Sequence, residues 1–445
     1  MKINLKFSPD LILSKQGVNY FVPFLLITCC FALWGFANDM TGPVVKAFSK
    51  IFRMSVTEGA LVQVAFYLGY FVMAFPAARF IQRHSFKAGV IVGLTLFAVG
   101  ALMFLPAKML GYYTPFLLAY FILTCGLSFL ETSCNPYIYC MGTEETATQR
   151  LNLAQAFNPI GALLGMYLAM KMIQERMSPM TSEERLTLSD SQFDSLKDHD
   201  LSMLIGPYLG LGIVCLVLLT LIVMKRMPKD GDARAKKGIR QAVGELIRAK
   251  NYREGVVAQF FYVGAQVCCW TFIIQYGTRV FCLEGMTEKV AEITSQKFNI
   301  IAMVLFCVGR FVCTWLLKYM TPGRLLSVLA IFAGVFVGGA ILFPDRNGVY
   351  CLVAVSACMS LMFPTIYGIA LRGTGENVKF AGAGLVMAIL GGSVFPPLQA
   401  LIIDSKFAVL GLSSANLSFV IPLVCFAVVA IYGHRSYVRQ NILEA

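Results

Sequence analysis

Apolar residues in this chain form twelve long segments separated by shorter polar stretches. The segments cover residues 21–42, 58–80, 86–106, 113–140, 150–173, 203–224, 253–278, 296–317, 324–343, 349–371, 380–403 and 415–433. A helix rises about 1.5 Å per residue, so each segment is long enough to cross roughly 30 Å of hydrocarbon. A helix also satisfies its own backbone hydrogen bonds in lipid. The pattern therefore predicts an all-α membrane protein with twelve transmembrane helices.

The composition supports a membrane protein and argues against a soluble one. Of the 445 residues, 58% are hydrophobic and only 14% are charged, too few to cover a soluble surface. Most of the fourteen cysteines lie inside apolar segments, where a thiol behaves as a small hydrophobic group. No pair of cysteines has the spacing of a metal site. We therefore expect neither a metal nor a cofactor.

The basic residues predict the orientation of the chain. A formal net charge of +13 is compatible with nucleic-acid binding. The lysines and arginines, however, lie in short connections between apolar segments, so we expect no nucleic-acid partner. The termini and even-numbered connections hold 23 of them, and the odd-numbered connections hold 13. Because cytoplasmic connections carry the excess of basic residues, both termini are predicted to be cytoplasmic.

A long basic connection divides the twelve segments into two sets of six. Within it, Ile239, Val243, Leu246 and Ile247 recur at helical spacing, which predicts an amphipathic helix lying on the inner leaflet. We predict three parts: an N-terminal six-helix bundle over residues 1–224, a cytoplasmic linker over 225–252 and a C-terminal six-helix bundle over 253–445.

The two halves contain similar motifs at equivalent positions. The fourth segment has Pro136-Tyr137-Ile138-Tyr139, and the tenth has Pro364-Thr365-Ile366-Tyr367. Each motif is followed by a Gly-Thr pair and an acidic residue, which supports a six-helix duplication. Two pseudo-symmetric six-helix bundles resemble the major facilitator superfamily, an architecture that implies a substrate site between the halves near the membrane midplane.

The most informative polar residue is Glu131, an acid in the middle of the fourth segment with no Lys or Arg nearby in the sequence. A charged group near the bilayer centre costs at least ~2.5–3.5 kcal/mol, so it normally faces a cavity or a partner. Because burial favours the neutral carboxyl, Glu131 is a candidate carrier that gains a proton on one side and releases it on the other. The alternative is a permanently protonated acid that hydrogen-bonds a neighbouring helix. The second half has Met359 at the equivalent position, so the scaffold itself requires no acid there.

Two amide side chains are expected at a similar depth. Glu131 lies about eight residues before the connection between the fourth and fifth segments, and Asn158 lies about eight residues after it. Gln155 is three residues from Asn158, so the two amides share a helix face. A carboxyl with two amides is a plausible site for a polyhydroxylated ligand, because an amide both donates to and accepts from a hydroxyl. The alternative is polar contact between helices.

Asn38 and Asp39 are a second pair of polar residues inside an apolar segment. Asp39 lies toward the outer end of the first segment, before Gly42 and Pro43. Three roles are open for it: a second titrating group, a sugar contact, or the cap of a helix break at the membrane surface.

Aromatic, amide and basic residues in other segments complete the candidate site. Trp34 and Phe363 are candidate platforms for a sugar, whose C–H faces are apolar, although such rings more often pack or line the membrane interface. Gln266 is an amide in the seventh segment. Arg310 is predicted to be structural, pairing with the backbone or with lipid headgroups.

Several strings resemble the L-fucose–proton symporter family of the major facilitator superfamily, and the resemblance runs through nearly all twelve segments. The strings are Trp34-Gly35-Phe36-Ala37-Asn38-Asp39, Ala65-Phe66-Tyr67-Leu68-Gly69-Tyr70-Phe71, Leu130-Glu131-Thr132-Ser133-Cys134-Asn135-Pro136, Arg150-Leu151-Asn152-Leu153-Ala154-Gln155-Ala156-Phe157-Asn158 and Tyr262-Val263-Gly264-Ala265-Gln266.

This resemblance implies uptake of a neutral monosaccharide together with a proton across a bacterial inner membrane. It implies that Glu131 carries the proton and that Gln155 and Asn158 bind the sugar. Two positions depart from the family pattern: Gly42 stands where the family has a second acid, and Phe363 replaces a tyrosine. L-Fucose is the first expectation, and the expected partners are this sugar, H⁺ and the lipid bilayer, with a functional monomer.

Other functions are open on sequence grounds. Another hexose or deoxyhexose, or Na⁺ in place of H⁺, would use the same machinery. A drug exporter of the same fold would favour a more apolar cavity than the amides provide. A membrane-embedded enzyme would need a catalytic cluster, and no nucleophile–histidine pair or phosphate-binding loop is present in the sequence, so we expect no enzyme. A sugar sensor would bind without transport.

Overall fold

The computed structural model describes residues 20–54, 61–174, 176–178, 180, 182–227, 239–405, 408–409 and 412–444. The basic leader of the first segment and the middle of the linker, residues 228–238, lie outside these ranges. Helices dominate the described chain, and its one sheet is an antiparallel pair of two-residue strands, β1 (Ala408–Val409) and β2 (Leu412–Ser413).

The helices of the first half follow the predicted segments. They are α1 (Phe21–Ile51), α2 (Leu61–Arg83), α3 (Phe86–Leu102), α4 (Phe104–Leu110), α5 (Tyr113–Cys140), α6 (Glu144–Gln155), α7 (Phe157–Leu168) with a π-helical extension (Ala169–Gln174), α8 (Ser182–Leu186) and α9 (Asp190–Met224).

The helices of the second half are also partly long and partly broken. They are α10 (Ile239–Arg248), α11 (Lys250–Leu283), α12 (Glu288–Leu316), α13 (Pro322–Leu342), α14 (Arg346–Met359), α15 (Met362–Leu371), α16 (Val378–Met387), α17 (Gly391–Asp404), α18 (Ser414–Leu417) and α19 (Val420–Glu444), with short 3₁₀ turns at Gly375–Asn377 and Ala388–Leu390.

The predicted membrane fold is confirmed. Within the described ranges, eleven helical stretches are long and apolar enough to cross a membrane. The helix α2, at the place of the predicted second segment, is a further helix of 23 residues. The first and sixth crossings are longer than predicted, because α1 continues to Ile51 and α9 begins at Asp190.

Packing divides the described chain into two compact units. One comprises residues 20–141 and 157–227, and the other comprises residues 142–156 together with the chain from 239 onward. The helix α6 thus packs with helices of the second half: the Gln149 amide donates to the Thr314 carbonyl at 3.2 Å, and the Asn152 amide donates to the Thr365 hydroxyl at 3.1 Å. The predicted division at the linker follows the chain order, whereas this division follows the contacts.

The predicted amphipathic helix of the linker is present as α10. Leu246 is buried, as is Ala242, and the helix packs against α11 and α16. Ile247, in contrast, is 58% exposed. Some apolar residues of α10 therefore pack against the rest of the protein, and Ile247 lies on an outward face. Contact of that face with the inner leaflet stays a prediction.

A buried ion pair joins α8, in the connection between the fifth and sixth crossings, to α9. The guanidinium of Arg185 donates to the Asp200 carboxylate at 2.6 Å, and both side chains are fully buried. Arg185 also donates to the Ser178 carbonyl at 3.3 Å, and Arg53 at the end of α1 donates to the Arg185 carbonyl. These hydrogen bonds and the ion pair hold the connection against α9 and the end of α1.

We predict that Asp200→Asn lowers the free energy of unfolding by about 3–5 kcal/mol, because it leaves the Arg185 charge buried without compensation. Asp198→Asn is the matched control, since the Asp198 side chain is 70% exposed in its pair with Lys108 at 3.1 Å. The control should cost at most about 1 kcal/mol. Unfolding of the purified protein in mixed micelles measures both, and equal losses in the two variants would contradict the structural role of the buried pair.

Candidate functional site

Glu131 lies in the most buried stretch of α5, where every residue from 123 to 139 is buried. The Glu131 side chain is fully inaccessible, and neither carboxyl oxygen has a hydrogen-bond partner in the described part of the chain. The Asn135 amide donates to the Glu131 backbone carbonyl at 3.1 Å and not to the Glu131 carboxyl. A buried carboxylate without a partner costs several kcal/mol, so this position favours the neutral, protonated acid.

Glu131 lies on the face of α5 that packs against α2. The Ser128 hydroxyl, three residues away, donates to the Tyr70 carbonyl at 3.1 Å. A Cβ atom at Gly69 would approach the Thr124 side chain to 2.9 Å, so the two helices meet where α2 has no side chain. Residues 124, 128 and 131 are four and three apart and therefore share this face.

Two tyrosines of α2 connect Glu131 with Asp39. Tyr70 interacts electrostatically with Glu131 and Tyr67, and its hydroxyl accepts a hydrogen bond from the Trp34 indole N–H. Tyr67 in turn is an electrostatic neighbour of Asp39. The sequence indicated Tyr67 and Tyr70 only as part of a family string. Their spacing of three residues inside an apolar segment is the signal that could have identified them as one polar face.

Asn158 is held against α1 by close backbone packing. A Cβ atom at Gly35 would lie 2.0 Å from the Asn158 carbonyl oxygen, and one at Gly161 would lie 1.9 Å from the Ala32 carbonyl oxygen. Glycine at both positions lets the helices α1 and α7 touch along their backbones, as small residues do in membrane helix pairs. The Asn158 amide then donates to the Phe31 carbonyl at 3.2 Å.

Trp34, Asn38 and Asp39 lie on α1 next to this contact. The Trp34 ring stacks on Phe31 with ring centroids 5.5 Å apart. Asn38 is exposed, and the half-buried Asp39 interacts with the Asn38 side chain. The helix α1 continues without interruption through Asp39, so the expectation that Asp39 caps a helix break at this point is wrong.

Gln155 lies at the end of α6, in the unit formed with the second half. The expected single helix through Gln155 and Asn158 is interrupted at Ala156, between α6 and α7. Pro159 has no N–H to donate to the carbonyl four residues earlier, which is that of Gln155. Arg310 of α12 supplies the missing donor, with its Nη1 atom 2.8 Å from the Gln155 carbonyl oxygen.

Arg310 also donates to the carbonyl that a second proline, Pro364, leaves without its helical donor. Pro364 cannot donate to the Ser360 carbonyl, and the chain leaves the helix between α14 and α15 at this point. The Arg310 Nε atom donates to the Ser360 carbonyl at 2.5 Å. Arg310 is 3% exposed, and its guanidinium lies over the Phe306 ring at 4.7 Å. The predicted pairing of Arg310 with backbone is therefore confirmed.

Gln266 and Phe363 flank Tyr262 in the second unit. The Tyr262 hydroxyl donates to the Met359 carbonyl at 3.0 Å, and its ring centroid is 6.4 Å from that of Phe363. Trp270 donates to the Ser356 hydroxyl at 3.2 Å. Tyr262, Gln266 and Trp270 are four residues apart on α11, so the half-buried Gln266 faces α14 and α15 as well.

The predicted site residues fall into two sets, one in each unit, which are called the first and second polar clusters. The first unit holds Glu131, Asp39, Asn38, Trp34 and Asn158, and the second holds Gln155, Gln266 and Phe363. Among the described residues no group of His, Cys, Asp and Glu could hold a metal ion, and all fourteen cysteines are free thiols.

A bundle of membrane-crossing helices that buries an unpaired carboxyl and several amides is typical of transport proteins, in which ionisable groups mark the pathway of ions or substrates. The family model of the Major Facilitator Superfamily matches residues 27–397. The chain belongs to this superfamily and, within it, to the family of L-fucose–proton symporters.

Similar proteins include sugar transporters. The chain is 46% identical to the L-fucose-proton symporter of Haemophilus influenzae, with 94% of this chain and 97% of that protein covered. The L-fucose-proton symporter of Escherichia coli is 33% identical over 96% of each chain. A crystal structure of the Escherichia coli fucose:proton symporter matches the fold at 30% identity with a TM-score of 0.84, over 94% of this chain and 99% of that one. A glucose/galactose transporter of Brucella abortus is 28% identical over 94% of this chain and 95% of its own length.

Proposed function

We propose that this chain imports a neutral monosaccharide, L-fucose before others, in symport with a proton by alternating access. The observation that carries the proposal is the Glu131 carboxyl, which is fully buried and accepts no hydrogen bond within the described chain. A group in this position is stable only when protonated or when a ligand reaches it. Similarity to two L-fucose-proton symporters supplies the chemical class of that ligand.

Glu131 is the proposed proton carrier, and Asp39 is the proposed second titrating group. Protonation of Glu131 removes the cost of an unpaired buried charge, so binding of the proton favours the change of accessible side by the sugar-loaded carrier. Tyr70 interacts electrostatically with Glu131 and with Tyr67, and Tyr67 interacts with Asp39, which supports coupled roles for the two acids.

The proposed sugar ligands are the amides and rings of the two clusters, namely Asn38, Asn158, Gln155, Gln266, Trp34 and Phe363. Amides match sugar hydroxyls as donors and acceptors, and rings match apolar C–H faces. L-Fucose carries a methyl group where L-galactose carries a hydroxymethyl group. Phe363 offers no hydroxyl to a polar substituent, which favours the deoxy sugar.

We propose the bacterial inner membrane as the location, with both termini cytoplasmic and a monomer as the functional unit. The excess of basic residues in the connections on one side, 23 against 13, supports this orientation. Membership of the Major Facilitator Superfamily favours a transporter over the alternative of a membrane-embedded enzyme.

A counterflow panel of labelled sugars in proteoliposomes tests the substrate. We expect exchange of L-fucose and at least tenfold weaker exchange of L-galactose, because an added hydroxyl must lose its water against an apolar group. Stronger exchange of L-galactose or a D-hexose would transfer the assignment to that sugar. Binding without exchange would identify a sensor, and outward flux of apolar compounds would identify an exporter.

The same vesicles test the ion. Sugar addition should alkalinise an unbuffered external medium, and replacement of Na⁺ by K⁺ should leave uptake unchanged. Uptake that follows the Na⁺ gradient and leaves the external pH constant would contradict proton symport.

A further inference from the structure

An open cleft lies between the start of α11 and the end of α19, away from both polar clusters. Its volume is about 250 Å³. The residues that line it are Arg253, Glu254, Val257, Val428, Ile431, Tyr432 and Arg435. Both helices cross the membrane, so the cleft is a notch in the lipid-facing surface at the end where the linker joins α11.

Positive charge exceeds negative charge at the mouth of the cleft. The Glu254 carboxylate accepts from Arg435 at 3.2 Å and from Arg439 at 2.5 Å. The Arg253 side chain is exposed and has no hydrogen-bond or ion-pair partner in the described chain. The Nη1 atom of Arg439 is buried and also lacks a partner. The cleft and the adjoining Arg439 thus carry three guanidinium groups and one carboxylate, so the site has a net positive charge, and the exposed Arg253 guanidinium has donors open to a ligand.

An apolar layer lies directly beneath these charges. Val257 follows Arg253 by four residues on α11, and Ile431 precedes Arg435 by four residues on the antiparallel α19, so each pair shares a helix face. Four residues of helix span about 6 Å, and the apolar layer is therefore about 6 Å deeper in the membrane. Val257 is 46% exposed and Ile431 is 55% exposed, so both are open to an external ligand.

We propose that this cleft binds an anionic phospholipid, with the phosphate against Arg253 and Arg435 and an acyl chain along Val257 and Ile431. A guanidinium pairs with phosphate through two parallel hydrogen bonds. A soluble phosphate would leave the apolar layer uncovered, and a zwitterionic lipid would bring a cation toward the arginines. The proposal rests on the membrane fold and is independent of the transported substrate.

The test is native mass spectrometry of the purified protein in detergent, with added phosphatidylglycerol or phosphatidylcholine. We expect a bound phosphatidylglycerol that phosphatidylcholine replaces poorly, and about 10- to 30-fold weaker binding in the double variant Arg253→Gln with Arg435→Gln. The double variant Lys225→Gln with Arg226→Gln removes the same charge from the exposed end of α9 and should bind as the unchanged protein does. Equal weakening in both double variants would overturn the proposal.

A second arm separates a lipid site from a phosphate site. Val257→Phe fills the apolar layer without altering charge, and its exposed position makes it compatible with folding. It should weaken phosphatidylglycerol at least fivefold. Glycerol phosphate, which has the headgroup without acyl chains, should not compete at equal concentration. Full competition by glycerol phosphate, or unchanged lipid binding by Val257→Phe, would contradict an acyl-chain site.

Discussion

Glu131→Gln should abolish sugar-driven proton movement while sugar exchange continues. Glutamine has the shape of the protonated acid, so the buried position stays neutral and the carrier can still change its accessible side with sugar bound. It cannot release a proton, so uptake loses its driving force. One charge moving through 100 mV contributes about 2.3 kcal/mol, which corresponds to about 50-fold accumulation. We expect the variant to equilibrate the sugar without concentrating it.

Two measurements on the same vesicles check this result. Counterflow at equal pH should be retained, which shows that the variant is folded and binds sugar. Uptake driven by a pH gradient, together with external alkalinisation, should vanish. Glu145→Gln is the matched control, because Glu145 is exposed at the start of α6 and undergoes the same chemical change. Full proton-coupled accumulation by Glu131→Gln would assign the carrier role elsewhere, with Asp39 the next candidate.

Arg310→Gln should be the most destabilising change among the residues around the second cluster. It removes the donors of the Gln155 and Ser360 carbonyls, and each buried carbonyl without a partner costs about 1–3 kcal/mol. The expected loss in free energy of unfolding is therefore about 2–5 kcal/mol, after allowance for the relief of a buried charge. Arg324→Gln is the control, because Arg324 is exposed at the start of α13.

A double-mutant cycle with Pro364→Ala tests the reason for this cost. Alanine at this position restores an N–H that can donate to the Ser360 carbonyl once the helix is continuous. Arg310→Gln should then cost about 1–3 kcal/mol less in the Pro364→Ala protein than in the unchanged one. Additive effects of the two substitutions would show that Arg310 acts through its charge alone.

Much of the site could be predicted because polar residues are conspicuous in apolar segments. Glu131 was identified as an acid in the middle of an apolar segment, and the structure buries it fully, with no hydrogen-bond partner for its carboxyl in the described chain. Arg310 was expected to pair with backbone, and it does. The roles of Asn38, Asp39, Gln155, Asn158, Gln266, Trp34 and Phe363 stay predictions.

Other features depend on contacts between residues far apart in the chain. Arg185 and Asp200 are 15 residues apart, in α8 and α9, and their fully buried ion pair forms only in the packed fold. Asp39 was a candidate helix cap because Gly42 and Pro43 follow it, but α1 continues through this region. Local composition indicates whether a polar side chain prefers water. It does not identify the distant residue that takes the place of water when the side chain is buried.

The sequence by itself determined the membrane environment, the number of crossings and the acid at position 131, because hydropathy and helix length are properties of continuous segments. The tertiary structure alone decided that α6 packs with the second half and that Gly35 and Gly161 bring α1 against α7. It also decided that one arginine supplies donors to two proline-interrupted helices. The physical reason is that a broken helix leaves a carbonyl whose donor can come from anywhere in the chain, and only the packed fold selects it.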